Sequence, residues 1–306
     1  QYFSIDDETD LTNVKWTNGK YDINELTNVY TQNDQRLNNI LLNLNNIVTD
    51  ISQMRALGFC VSKKHAEFMS TKFNEKGIKA DFLISDNSAN RSQLLQRLIS
   101  RDINILFVVD MFNEGVDIPE LDTLLMLRPT ESLTVFLQQL GRGLRLTDDK
   151  ECCTVLDFVG NSNANYDFTH KFRALIGKTN QSLKNEIEQD FPHVPLGCRI
   201  ELQKVTQERI LRSISQAIPN ASRLISKINS FKNDSSLELN LTNFLSIHSN
   251  LILEDLYKPN QASLGGWEAL KIRAAGSVVE SDEKSIYKAY YRAIKNRFLQ
   301  NTSFSY

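Results

Sequence analysis

Residues 103–145, INILFVVDMFNEGVDIPELDTLLMLRPTESLTVFLQQLGRGLR, read as two buried strands, each followed by a loop built for chemistry. Ile103 to Val109 is nearly unbroken apolar, β-branched sequence that stops at Asp110, the pattern of a strand covered on both faces in a parallel sheet. In the loop Met111 to Pro119, Gly115 permits a close backbone approach, Asp117 supplies an acceptor and Pro119 ends the turn. The second strand, Thr123 to Leu127, leads through Arg128-Pro129-Thr130 into a helix that carries Gln138 and runs out at Gly141-Arg142-Gly143-Leu144-Arg145. Two arginines three apart beside two glycines make a poor core and a good anion clamp, because guanidinium groups match phosphate oxygens bidentately. The plain alternative is that these arginines cap a helix C-terminus.

Outward from this stretch the pattern alternates. From Asn33 onward the apolar spacing predicts a helix around Ile40, Leu41, Leu44 and Ile47, then a strand Leu57 to Ser62. A helix through Ala66, Phe68, Met69 and Phe73 follows, stopped by Gly77, then a strand Phe82 to Ser85 and a helix through Leu94, Leu95 and Leu98. Beyond the central stretch comes a last strand, Cys152 to Val159. Alternating units of this length predict an α/β fold with a parallel doubly wound sheet over residues 33–179 and ligands at the C-terminal ends of its strands. Residues 1–32 are acidic and are read as a docking connector, with Asn18-Gly19 as a hairpin turn and Trp16 and Tyr21 as anchors. The chain opens at Gln1, within what reads as an extended segment, and is taken for part of a longer polypeptide.

Phe107 to Leu127, followed by Gln138-Gln139-Leu140-Gly141-Arg142-Gly143-Leu144-Arg145, resembles motifs V and VI of superfamily 2 DEAD/DEAH-box helicases, in the branch related to restriction-enzyme motor subunits. The resemblance implies one RecA-like lobe, the second of the two in a helicase motor. It further implies that Asp117 receives the nucleotide ribose beside Gly115, that Gln138 couples the lobes, and that Arg142 and Arg145 reach the nucleotide phosphates as arginine fingers. Asn113 and Glu114 resemble strand-contacting residues. Gly58 to Met69 resembles motif IV, with Ser62 and Lys63 near the nucleic-acid backbone, although Ser62 reads equally well as a helix N-cap. Asp86 lies in a loop, Ser85 to Ser88, where many relatives have His-Gly, and Gln139 stands where Arg is frequent. ATP and Mg²⁺ are implied cofactors, held mainly by a preceding lobe.

Two imitations are rejected. Asp7-Glu8-Thr9-Asp10 spells an acidic box, but no phosphate-binding loop precedes it, so it is read as a solvated acidic turn. Gly177-Lys178-Thr179 mimics the end of a phosphate-cradling loop, yet Phe172 stands where its first glycine belongs and the preceding residues read as helix.

Residues 180–306 read as a mainly α-helical accessory domain, with helices at Ser182 to Phe191, Leu202 to Ile218, Leu239 to Ile247, Leu251 to Tyr257 and Trp267 to Ala275. A final helix sets Lys284, Lys288, Arg292 and Lys295 beside Tyr287, Tyr291, Ile294 and Phe298, either a phosphate-tracking row or a solvated face beside a packing face. Net charge is -2 over 306 residues, so nucleic-acid binding must come from a local patch. No run is long and apolar enough for a membrane span and no signal peptide is evident, so the expected location is cytoplasmic. Cys60, Cys152, Cys153 and Cys198 have neither disulfide nor zinc spacing, and the first three are expected as buried thiols. The expected partners are nucleic acid, with DNA favoured, and the preceding lobe. The rival reading is a non-catalytic nucleic-acid clamp on the same fold, and a nuclease is disfavoured because no His-x-Lys or Glu-x-Lys occurs.

Overall fold

In the computed structural model, residues 1–109, 118–145, 147, 150–164, 166–177, 183–217, 221–234, 237–248, 251, 256 and 266–276 are described. The short strands β4 (Ala56–Phe59), β6 (Ile105–Val108) and β7 (Thr123–Met126) are buried at every position and pair in parallel, with β4 in the middle. Their alternation separates two layers. Leu57, Phe59, Leu106, Val108, Leu124 and Met126 face one side, with Leu94 and Leu98 of α4 (Arg91–Ile99) and Phe136 and Leu140 of α5 (Leu133–Gly143). Ala56, Ile105, Phe107 and Leu125 face the other, with Ile40 and Leu44 of α2 (Asp34–Ile47) and Met69 and Phe73 of α3 (Lys63–Glu75). A sheet covered on both faces is what unbroken apolar strands require.

The complete sheet has seven strands. In order they are β5 (Ala80–Leu83), β6, β4, β7, β8 (Thr154–Asn161), β1 (Tyr2–Asp10) and β9 (Ile200–Leu202), all paired in parallel. This is the RecA-like doubly wound α/β architecture. Local signals start and stop its helices: the side chains of Asn33, Ser62 and Ser132 accept N-cap hydrogen bonds, and Gly77 takes φ 80° just past α3. The expected strands Leu57 to Ser62 and Phe82 to Ser85 each begin earlier, and α5 ends at Gly143, within the Gly141 to Arg145 run where the helix was expected to run out.

Residues 1–32 are not simply a connector. Tyr2–Asp10 inserts between β8 and β9 as a full strand, because Tyr2 and Ile5 are apolar residues that pack on opposite faces of the sheet. The acidic run misled the reading: Asp7 is 1% exposed and its charge is met inside the protein, so the segment is not a solvated turn. The hairpin does form, as β2 (Trp16–Thr17) and β3 (Lys20–Tyr21), with Asn18 and Gly19 both at positive φ. Trp16 and Tyr21 pack edge to face at 4.7 Å and both meet Tyr166, which anchors the hairpin ahead of α1 (Ile23–Thr31).

The boundary at 179/180 also moves. The first compact unit comprises Gln1–Trp16 and Lys20–Ser215. It takes in α6 (Thr169–Ile176), α7 (Leu183–Glu188), β9 and α8 (Lys204–Ala217) up to Ser215, because Leu183, Ile187, Ile200, Ile210 and Ile214 bury in the sheet's own core. β9 was not expected at all. The second unit contains α9 (Ala221–Asp234), absent from the sequence reading, with α10 (Leu241–Ile247) and α11 (Gly266–Ala274) around Leu224, Ile228, Phe231, Phe244, Trp267 and Leu270. Most of Leu251 to Tyr257, and the basic helix after Ser281, lie outside the described residues. Cys60 and Cys153 are buried as expected, whereas Cys152 is exposed. Among the described residues no helix is long and apolar enough to cross a membrane, and no group of three His, Cys, Asp or Glu could hold a metal ion.

Candidate functional site

At the C-terminal edge of the sheet, neighbouring strand ends bring Ser62 and Lys63 after β4 next to the end of β6 and the 3-10 turn Ser85–Asn90, which contains Asp86, after β5. Lys63 is exposed. Ser62 is the N-cap of α3: its hydroxyl accepts from the His65 amide at 3.3 Å and from Thr27 Oγ1 at 2.8 Å. The cap reading of Ser62 therefore holds, and it orients the first turn of α3 with its exposed amide end and Lys63.

Beneath this edge lies a charged network that the sequence reading missed. Arg36 Nε donates to Asp7 Oδ2 at 2.9 Å, and its Nη2 donates to the Leu127 carbonyl at 2.9 Å. Its guanidinium sits 3.8 Å from the centre of the Tyr30 ring, and Nη1 faces His65 Nε2 at 3.4 Å. One buried cation thus ties β1, α1, the start of α3 and the end of β7 together. Burial, and after it the Arg36 charge, holds the His65 imidazole well below its usual pKa, so the ring stays neutral. A signal for Arg36 existed: it falls at the i, i+4, i+8 positions of the apolar stripe with Ile40 and Leu44, where a charge demands a buried partner.

The arginines lie at the opposite edge. α5 runs back along the sheet, and its last residue, Gly143, sits where a Cβ would collide with Cys153 Sγ and come within 3.0 Å of Leu124 Cδ1. Those residues stand at the starts of β7 and β8. Gly143 is therefore a packing glycine, while Gly141 has open space around it. Arg142 is half-buried in the last helical turn, and Gln138 and Arg145 are exposed. Gln139 is buried and accepts from Thr130 Oγ1 at 3.4 Å, so it belongs to the helix's inner face. The general expectation of ligands at the C-terminal edge thus covers Ser62, Lys63 and Asp86 but not Arg142 and Arg145.

Lys150, on which the sequence reading was silent, closes the end of α5. Its Nζ donates to the carbonyls of Gly143 at 3.0 Å, Pro119 at 2.8 Å and Leu121 at 2.9 Å. All three ammonium donors are used.

The segment between β6 and β7 leaves Val108 at one edge of the sheet and enters Thr123 at the other, with Ile118 and Leu121 buried on the α4 and α5 face. Asn113, Glu114, Gly115 and Asp117 lie in it, outside the described residues. Gly177 closes α6 with φ 80°, as a helix stop; Lys178 and Thr179 lie outside the described residues.

Residues 33–147 match the family described as the helicase conserved C-terminal domain. IRC3 of Saccharomyces cerevisiae, named as an ATP-dependent helicase, is 30% identical over 165 residues, covering 53% of this chain and 24% of its own. UvrABC system protein B of Helicobacter hepaticus is 23% identical over 182 residues, 55% of this chain and 26% of its own. The chain thus spans about a quarter of the length of these relatives. Among solved structures, the yeast DEAD-box splicing factor Prp28 is 18% identical with a TM-score of 0.41, covering 56% of this chain and 34% of its own.

Proposed function

We propose that this chain, whose residues 33–147 form a helicase conserved C-terminal domain, is the second motor lobe and accessory region of an ATP-dependent nucleic-acid helicase or translocase. The observation that carries the reading is the match of residues 33–147 to the helicase conserved C-terminal domain, on a parallel sheet whose neighbouring strand ends bring Ser62, Lys63 and the turn with Asp86 to one edge.

In this reading Lys63, the amide end of α3, Asp86, Asn113 and Glu114 contact the nucleic-acid backbone. Gly115 and Asp117 receive the ribose, Gln138 meets the preceding lobe, and Arg142 and Arg145 hold phosphate oxygens. ATP with Mg²⁺, held mainly by that preceding lobe, supplies the phosphoryl transfer that drives the cycle. The arginines neutralise charge that develops on the transferring group, an effect worth about 10³–10⁵ in rate where one is inserted across a cleft. The choice of DNA rests on the restriction-enzyme-like branch that the motifs resemble.

The test is steady-state ATP hydrolysis by a polypeptide that includes the preceding lobe, with and without single-stranded and duplex DNA, comparing wild type with Arg142→Ala and Arg145→Ala. A DNA-stimulated rate that falls by orders of magnitude in either variant supports the motor. Hydrolysis indifferent to both arginines, or DNA binding with no hydrolysis, moves the assignment to a non-catalytic clamp.

A further inference from the structure

We infer that Lys150 is the positioning residue that holds the nucleotide-facing end of the β6–β7 connection in register with the arginines of α5. The inference rests on the motor reading for its consequence but not for its geometry. A lysine that merely capped α5 would need only the Gly143 carbonyl, where a cation also complements the helix dipole. Lys150 takes one carbonyl from the helix and two, Pro119 and Leu121, from a segment 29 and 31 residues away. Pro119 stands two residues after Asp117, and Gly143 stands two residues before Arg145. The described end of the connection and the last turn of the helix that leads to Arg145 thus share one ammonium group.

The surroundings make the tether stiff. Gly143 has no room to shift toward the sheet, being packed on Cys153 and Leu124. On the other side, Ile118 and Leu121 are each about 98–99% buried, so the chain around both carbonyls is anchored by its own side chains. Removing the ammonium takes from the Gly143, Pro119 and Leu121 carbonyls the donor that they share. Arginine is a poor replacement, since a planar fork cannot point three donors from one atom at three converging carbonyls.

The experiment compares Lys150→Met and Lys150→Arg with wild type in two ways. In this chain alone, amide hydrogen exchange is followed over 118–122 and 140–145. Faster exchange in both segments of Lys150→Met, with the β4 and β6 amides unchanged, supports the tether; unchanged exchange overturns it. In the polypeptide that includes the preceding lobe, ATP hydrolysis is measured for Lys150→Met, Arg145→Ala and the double variant. Ångström-scale misplacement of a positioned group costs roughly a hundredfold, so kcat should fall by that order in Lys150→Met with little change in nucleic-acid affinity. The double variant should be no slower than Arg145→Ala, because a residue that acts through the arginine has nothing left to position. Independent, multiplying effects would overturn the role. If wild type does not hydrolyse ATP, the motor reading fails, and the exchange measurement still decides the tether.

Discussion

Replacing Arg36 with methionine removes a charge while keeping most of the side chain's volume. The change leaves Asp7 as an uncompensated carboxylate in a site where the two side chains are 0% and 1% exposed. It also deprives the Leu127 carbonyl of its 2.9 Å donor and the Tyr30 ring of the cation 3.8 Å above it. One-sided removal of a buried pair costs about 3–5 kcal/mol, whereas exchanging both partners for uncharged groups is often close to neutral. Thermal midpoints of units this size move about 2–4 °C per kcal/mol, so Arg36→Met should melt roughly 6–20 °C below wild type. Asp7→Asn retains an oxygen that can accept from the Thr9 amide, as Asp7 Oδ1 does at 3.0 Å, so Asp7→Asn/Arg36→Met should regain at least half of that loss. Differential scanning calorimetry of the variants beside wild type measures the shift. A fall of under about 3 °C in the single variant, or a double variant that melts no higher than the single, would refute the account of Arg36 as the charge that balances Asp7.

Gly58→Ala should lower stability by about 1–3 kcal/mol, because the new methyl would strike the Phe107 ring, which is fully buried and held edge-on by Phe73 at 5.0 Å. An unshifted urea midpoint would show that the ring can yield. Acidification should weaken the first unit through His65. Its folded pKa lies well below the ordinary 6.5, so as pH falls through that value the unfolded chain gains a proton that the native protein refuses. The His65 contribution is therefore complete above pH about 6.5 and declines below it toward the folded pKa. Urea midpoints at pH 7.5 and 5.5 should differ accordingly, and His65→Gln should reduce the difference; an equal pH slope in the variant would assign it to other groups.

Much of the first unit was legible because its signals are local. An unbroken apolar run, the 3.6-residue stripe of Ile40, Leu44 and Ile47, the cap at Ser62 and the stop at Gly77 all depend on neighbours within a turn or two. β1 was not legible in the same way. Its apolar residues are interleaved with Asp6, Asp7 and Glu8, and acidic sequence reads as solvated until a buried cation is known to face it. Gly143 was likewise grouped with the anion clamp, although the space it must leave free is set by Cys153, which lies ten residues on.

The sequence by itself determined the alternation of strands and helices, the two-sided burial of β6, and the Gln138 to Arg145 pattern that resembles a helicase motif. Tertiary structure alone decided that residues 2–10 complete the sheet, that Asp7 meets Arg36 across 29 residues, and that Lys150 gathers carbonyls from two separate segments. The reason is physical. Backbone conformation is biased by each residue and its neighbours, but whether a charge is solvated, paired or used as a clasp depends on what the fold brings over it.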